Sequence, residues 1–313
     1  MSVPPIAGFS LVHLARSLAK TYAAVFFCHS PWIGAWFAAL TWWTPRSALG
    51  GLTGLFAAAL WARLFQLPTS GRLHLVNGLL CGLVIGAFHS IDGAYFLWII
   101  LAALFSTLLA HWLAALFWKT TRLPVLSLPF VLACWAVFLA WQVNAPSALP
   151  VGALAVSDPL LPWPWLDSFF VSLGWLLLIP YPAAGALVFA GILAASRYLA
   201  LLAAAGYATG VLTVHLLGGN DATSLAFNFS LVAMALGGFF AVPGRASFLT
   251  ALAGSALAGW LVIAFGVLLQ PLHLLLLTTP FLGAAYLMLG SLGARLAARQ
   301  PVLVLDNPVS PEI

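Results

Sequence analysis

The sequence predicts an all-α membrane protein built from two inverted copies of one five-span unit, about ten transmembrane helices in all. Three observations carry this. First, 64% of the 313 residues are hydrophobic, 5% are charged and the mean hydropathy is +1.10, whereas about a quarter of a soluble domain is charged. Second, residues recur at a fixed spacing of 151: Asn77 and Asn228, Ser127 and Thr278, Arg46 and Arg197, Pro31 and Pro182, Gly34 and Gly185, and the Pro-Phe pairs at 129–130 and 280–281. Third, ten of the eleven Lys and Arg residues fall on one side of a single threading of the chain.

A spanning helix needs about 20 apolar residues, since each rises 1.5 Å across a hydrocarbon core of ~30 Å. On that rule the expected spans are 10–43, interrupted near His29, Ser30 and Pro31, then 47–66, 73–90, 93–118 and 123–143. The second copy supplies 169–194, 198–217, 222–242, 246–270 and 273–294. With a cytoplasmic N-terminus, Arg16, Lys20, Arg63, Arg72, Lys119, Arg122, Arg197, Arg245, Arg295 and Arg299 lie inside, and Arg46 lies outside. Residues 144–167 contain no Lys or Arg but do contain Asp158 and Asp167, as expected of a translocated loop. The units are 1–150 and 151–300, with 301–313 a cytoplasmic tail. Five spans per unit is an odd number, so the second copy enters the membrane from the opposite side. Repeats of this kind place a solute site near the bilayer midplane where the copies meet. The breaks are expected at Pro31 and Pro182, and at Pro124, Pro129 and Pro280, because proline removes a helix hydrogen bond. The short apolar run before Arg16 and Lys20 has no small-residue cleavage site after it and does not read as a signal peptide.

Residues 123–130, Leu-Pro-Val-Leu-Ser-Leu-Pro-Phe, resemble the LPxLTxPF signature of urea transporters with Ser for Thr, and residues 278–281 keep Thr-x-Pro-Phe. Val76-Asn77-Gly78-Leu79-Leu80 and Phe227-Asn228-Phe229-Ser230-Leu231 are similar to the family's two Phe-Asn-Gly-x-Leu segments, and Phe27 with Ser30-Pro31-x-x-Gly34 to its Phe-x-Asn-Asn-Pro-x-x-Gly. The resemblance covers about residues 20 to 290. It implies ten spans plus two re-entrant half-helices, a homotrimer, and one pore per protomer; the expected location is the inner (cytoplasmic) membrane. It further implies two flat slots, Phe27, Val76 and Leu80 at one end of the pore and Leu178, Phe227 and Leu231 at the other, with hydroxyls of Ser127 and Thr278 between them. The family has Gln or Glu three residues before each slot position, where this chain has Ala24 and Trp175. An indole donates a hydrogen bond and cannot accept one, so Trp175 either bonds a solute carbonyl or narrows the mouth.

The residue types suit this chemistry. A neutral amide entering hydrocarbon loses its water partners at about 4–8 kcal/mol, so a pathway for it needs neutral oxygens in a row and flat apolar walls. Each group also has a plainer explanation. A membrane Ser or Thr ordinarily bonds its own i−4 carbonyl, and phenylalanine ordinarily packs or faces lipid. Asn77 and Asn228 read as structural pins, since buried amides must be satisfied and interhelical bonding does so. Gly82 and Gly86 read as close helix packing. Cys28, Cys81 and Cys134 have no metal-ligand spacing and read as small buried hydrophobes. His29, His74, His89, His111, His215 and His273 sit near breaks or ends, and a proton relay would need ionisable groups chained across the membrane. The basic residues are scattered between spans, which reads as topology and not as a nucleic-acid surface. No cofactor or metal is expected. The leading expectation is a passive, channel-like pathway for urea; a facilitator of another small amide or ammonia, a membrane enzyme and a structural subunit of a complex are the alternatives.

Overall fold

The computed structural model describes residues 11–67, 72–142, 160–219 and 223–296. These residues form helices and no strand. The first half supplies α1 (Leu11–Val25), α2 (Pro31–Leu40), α3 (Pro45–Leu64), α4 (Leu73–Phe88), α5 (Tyr95–Thr120) and α6 (Leu128–Gln142). The second supplies α7 (Pro164–Trp175), α8 (Pro182–Ala195), α9 (Arg197–Leu216), α10 (Phe227–Met234), α11 (Arg245–Leu269) and α12 (Thr279–Leu296). Among the described residues four helices are long and apolar enough to cross a bilayer: α3, α5, α9, and α11 extended by a short 3₁₀ turn to Leu272. Shorter apolar helices of 10–17 residues fill the space between them. Large apolar side chains such as Leu60, Phe105, Trp112 and Val267 stand on the outer surface, as the chain's hydropathy requires when lipid is the solvent.

Several expected spans are not single rods. The stretch 10–43 divides into α1 and α2, and 169–194 into α7 and α8, each pair joined by a turn and each second helix beginning on a proline. Proline suits a first helical position because that N–H has no intrahelical acceptor. The helices of each pair pack tightly. A methyl group on Gly34 would stand 1.7 Å from the Ala19 carbonyl oxygen, and one on Gly185 would stand 1.7 Å from that of Phe170. Only glycine permits that approach. The spans expected at 123–143 and 273–294 begin as non-helical backbone, and their helices start at Leu128 and Thr279. Asp167, expected in a loop, lies in the first turn of α7, where its carboxylate accepts from the Leu161 N–H at 3.1 Å. The loop 144–167 falls mostly outside the described residues, as does the tail 301–313.

The 151-residue spacing recurs in the backbone. Phe27 and Leu178 both take φ +57°, and Leu126 and Leu277 take +53° and +49°. The turns after α1 and α7 close with the same bond, Cys28 N–H to Ala23 and Ile179 N–H to Gly174, each at 3.0 Å. The halves part at α10, which continues as a π-helical stretch, Ala235–Phe239, where α4 runs regularly to Phe88. Glycines bring α3 and α4 into backbone contact: a methyl on Gly82 would lie 2.0 Å from the Gly50 carbonyl, and one on Gly86 2.6 Å from that of Arg46. The Gly82–Gly86 motif is thus a packing device.

Candidate solute cavity

The non-helical segments entering α6 and α12 are the centre of the site, and their polar backbone must be satisfied within the protein. Asn77 does this for the first. Its amide nitrogen donates to the carbonyls of Leu73 at 2.8 Å and Leu126 at 3.2 Å, and its oxygen accepts from the Phe130 N–H at 2.8 Å. Asn228 repeats the arrangement on the second, donating to Leu225 and Leu277 at 2.9 and 3.1 Å and accepting from Phe281 at 3.1 Å. Both side chains are fully buried and neither lines the cavity. Each holds a left-handed leucine in place and satisfies an otherwise unpaired N–H at a helix start.

The halves also brace one another. Tyr286 on α12 donates to the Val125 carbonyl at 2.6 Å, and Trp135 on α6 donates to that of Leu275 at 2.9 Å. Between the braced segments, Ser127 Oγ and Thr278 Oγ1 lie 2.8 Å apart, within hydrogen-bond distance, with either as donor. These hydroxyls therefore bond across the halves, and neither bonds a carbonyl of its own helix.

Around this pair lies a cavity of about 550 Å³. Phe27, Val76, Leu80, Ser127, Trp175, Leu178, Phe227, Leu231 and Thr278 all line it. Its wall is chiefly leucine, valine and phenylalanine, and no Asp or Glu is among the described lining residues. The positive φ at Phe27 and Leu178 is costly for such side chains, about 1–2 kcal/mol each. It recurs at the turn that brings each to the cavity wall. Phe27 packs on rings of the other half, with centroids 5.0 Å from Phe239 and 6.3 Å from Phe281. Ala24 and Trp175 both line the wall, and the Trp175 indole nitrogen is buried without a hydrogen-bond partner.

Sequence reasoning missed several lining residues: Phe88, Phe239, Phe240, Arg72, Gln270 and His29. A signal existed for two of them, since Phe88 and Phe239 are themselves 151 residues apart. His29 lies at the α1–α2 break, as expected, but also lines the cavity, with its ring 6.1 Å from that of Phe239. His74 and His111 form a ring pair at 5.2 Å away from the wall, and His111 Nδ1 lies 2.9 Å from the Thr107 carbonyl.

Among the described residues, an all-helical body with an apolar outer surface around a mostly apolar cavity is that of a membrane protein. A family model described as urea transporter matches residues 15–292. The chain belongs to the urea transporter family, which is a family of transporters and not of enzymes.

Proposed function

We propose that the protein is a passive, channel-like pathway for urea, formed between inverted repeats (1–150 and 151–300) of five spans each, with re-entrant half-helices. It acts as a homotrimer in the inner membrane. The observation that carries the reading is the Ser127–Thr278 hydroxyl pair inside the cavity. Equivalent residues of two copies meet only on the axis that relates them, as in a two-fold interface. The Trp36 indole donating to the Leu187 carbonyl at 3.0 Å, again across 151 residues, supports the same axis. An odd number of spans per copy places that axis in the membrane plane.

Urea entering an apolar cavity must recover hydrogen bonds lost with its water, and each 1.36 kcal/mol recovered is tenfold in rate. The hydroxyl pair both donates and accepts, so it serves the solute's N–H groups and its carbonyl in turn. Phe27, Val76, Leu80, Leu178, Phe227 and Leu231 supply flat walls that admit a planar solute while giving an ion nothing in exchange for its hydration. With no carboxylate among the described lining residues to hold a proton or sodium ion, flux follows the solute gradient. Ala24 and Trp175 favour a second reading, a related small neutral amide as the preferred solute. Stopped-flow light scattering on proteoliposomes with urea, formamide, acetamide, glycerol and ammonia tests both: urea or another amide permeating well above protein-free vesicles is the expected result. Equal permeability with and without protein for every solute would overturn the proposal.

A further inference from the structure

We infer that Arg72 is a charge filter at one mouth of the cavity: it repels planar cations of urea's shape, guanidinium above all, from that mouth, while the opposite mouth, at Gln270, admits them. This deepens the proposed transport function and rests on it.

The cavity runs the length of α4. Val76, Leu80, Val84 and Phe88 line it, at the four-residue steps that put side chains on one helix face. Arg72, the N-cap of α4, begins the same stripe one turn before Val76 and is itself a lining residue. It is also exposed, so the cavity meets solvent at this end. Phe88 closes the stripe about 24 Å away, at 1.5 Å per residue. Its ring packs on Phe138 at 6.2 Å, and one turn further along α6 Gln142 donates to the Leu272 carbonyl at 2.9 Å. That contact places the neighbouring Gln270 at the Phe88 end. Gln270 is likewise exposed and on the wall, which makes it the second mouth.

The two mouths differ in charge. Arg72 is the only Lys or Arg among the described lining residues, and an arginine does not deprotonate in proteins. The described carboxylates lie elsewhere: Asp92 follows the far end of α4, 3.8 Å from His89, and Asp167 accepts from the Leu161 N–H at the start of α7. One mouth thus carries a fixed positive charge and the other a neutral amide. Urea, being uncharged, meets no Coulomb barrier at either. Guanidinium shares its plane and its N–H groups but carries a full charge, and apolar walls focus the field on it. At ~10 Å from Arg72, with an effective dielectric constant between about 20 and 80, its local concentration falls roughly two- to seventeenfold.

The test measures urea influx into right-side-out and everted membrane vesicles from cells expressing the protein, with millimolar guanidinium added outside only and each half-blocking concentration scaled to that variant's own uninhibited flux. With Arg72 on the cytoplasmic side, as the distribution of basic residues expects, everted vesicles present it to the added cation. Wild type at low ionic strength is expected to need about threefold or more guanidinium for half-block in everted than in right-side-out vesicles. Arg72→Gln should abolish this sidedness, Arg72→Lys keep it and Arg72→Glu reverse it, whereas a structural role would follow the fit of the side chain and not its charge. Should Arg72→Gln fail to reach the membrane, salt decides on the wild type alone: about 1 M, where the screening length is about 3 Å, should remove the sidedness. Opposite sidedness that Arg72→Gln still abolishes would support the filter and invert the topology. Equal block from both sides in wild type, no block from either, or sidedness that survives both Arg72→Gln and high salt would overturn the inference. Wild-type vesicles no more permeable to urea than vesicles lacking the protein would instead sink the transport function itself.

Discussion

Thr278→Val keeps the shape of the side chain and deletes the hydroxyl that faces Ser127 at 2.8 Å. Two consequences follow from that geometry. The solute loses one of its two hydroxyl partners in the cavity, and the Ser127 hydroxyl loses its partner across the halves. A hydrogen bond contributes about 0.5–1.5 kcal/mol net, more when a buried group is left unpaired. At tenfold per 1.36 kcal/mol, urea permeability is expected to fall roughly two- to twelvefold. Ser127→Ala acts in the same direction. Because the hydroxyls bond each other, the first deletion already removes their shared bond, so the double variant loses more than either single but less than their product. The assay is stopped-flow shrinkage and reswelling of proteoliposomes in a urea gradient, with protein density matched by quantitative blotting. Normal urea permeability in both single variants would refute the hydroxyl pathway and leave only the fold and family standing.

Two further outcomes are expected. Asn77→Leu strands the Phe130 N–H and the Leu126 carbonyl; with about 1–3 kcal/mol per orphaned buried group, tempered by the mean of ~0.6 measured for interhelical bonds in membranes, it should lower the melting temperature by several degrees. Asn228→Leu should match it, and a wild-type melt combined with lost flux would show that these amides serve the solute instead. A reporter inserted between residues 144 and 159 should read external and one fused after Ile313 cytoplasmic; a cytoplasmic signal from the loop would contradict the inverted arrangement.

The parts of this molecule that obey a period or a repeat were legible in the sequence. The residues aligned at the 151 spacing and the family signatures located Ser127 and Thr278, and the structure brings them within one hydrogen bond. Asn77 and Asn228 were legible as buried amides, and in the structure both bond backbone groups, because a buried amide has few alternatives. Hydropathy, by contrast, counts apolar residues and is blind to backbone path. It drew 123–127 and 273–278 into helices, though these segments carry Leu126 and Leu277 at positive φ and are held by side chains from distant helices. The break between α1 and α2 was legible at Pro31, whereas nothing in an apolar count records that Gly34 packs on Ala19. Phe239 closes the π-helical stretch Ala235–Phe239 on the cavity wall, and its 151-residue match to Phe88 was the signal that could have found it.

The most direct test of the central claim is urea flux through purified protein in sealed liposomes, measured with and without a proton or sodium gradient and in the presence of a protonophore. A passive pathway predicts urea equilibration far faster than in protein-free vesicles, equal in both directions, stopping at equal concentrations and unaffected by the ionophore. Accumulation of urea above the external concentration that collapses when the ion gradient is discharged would contradict it.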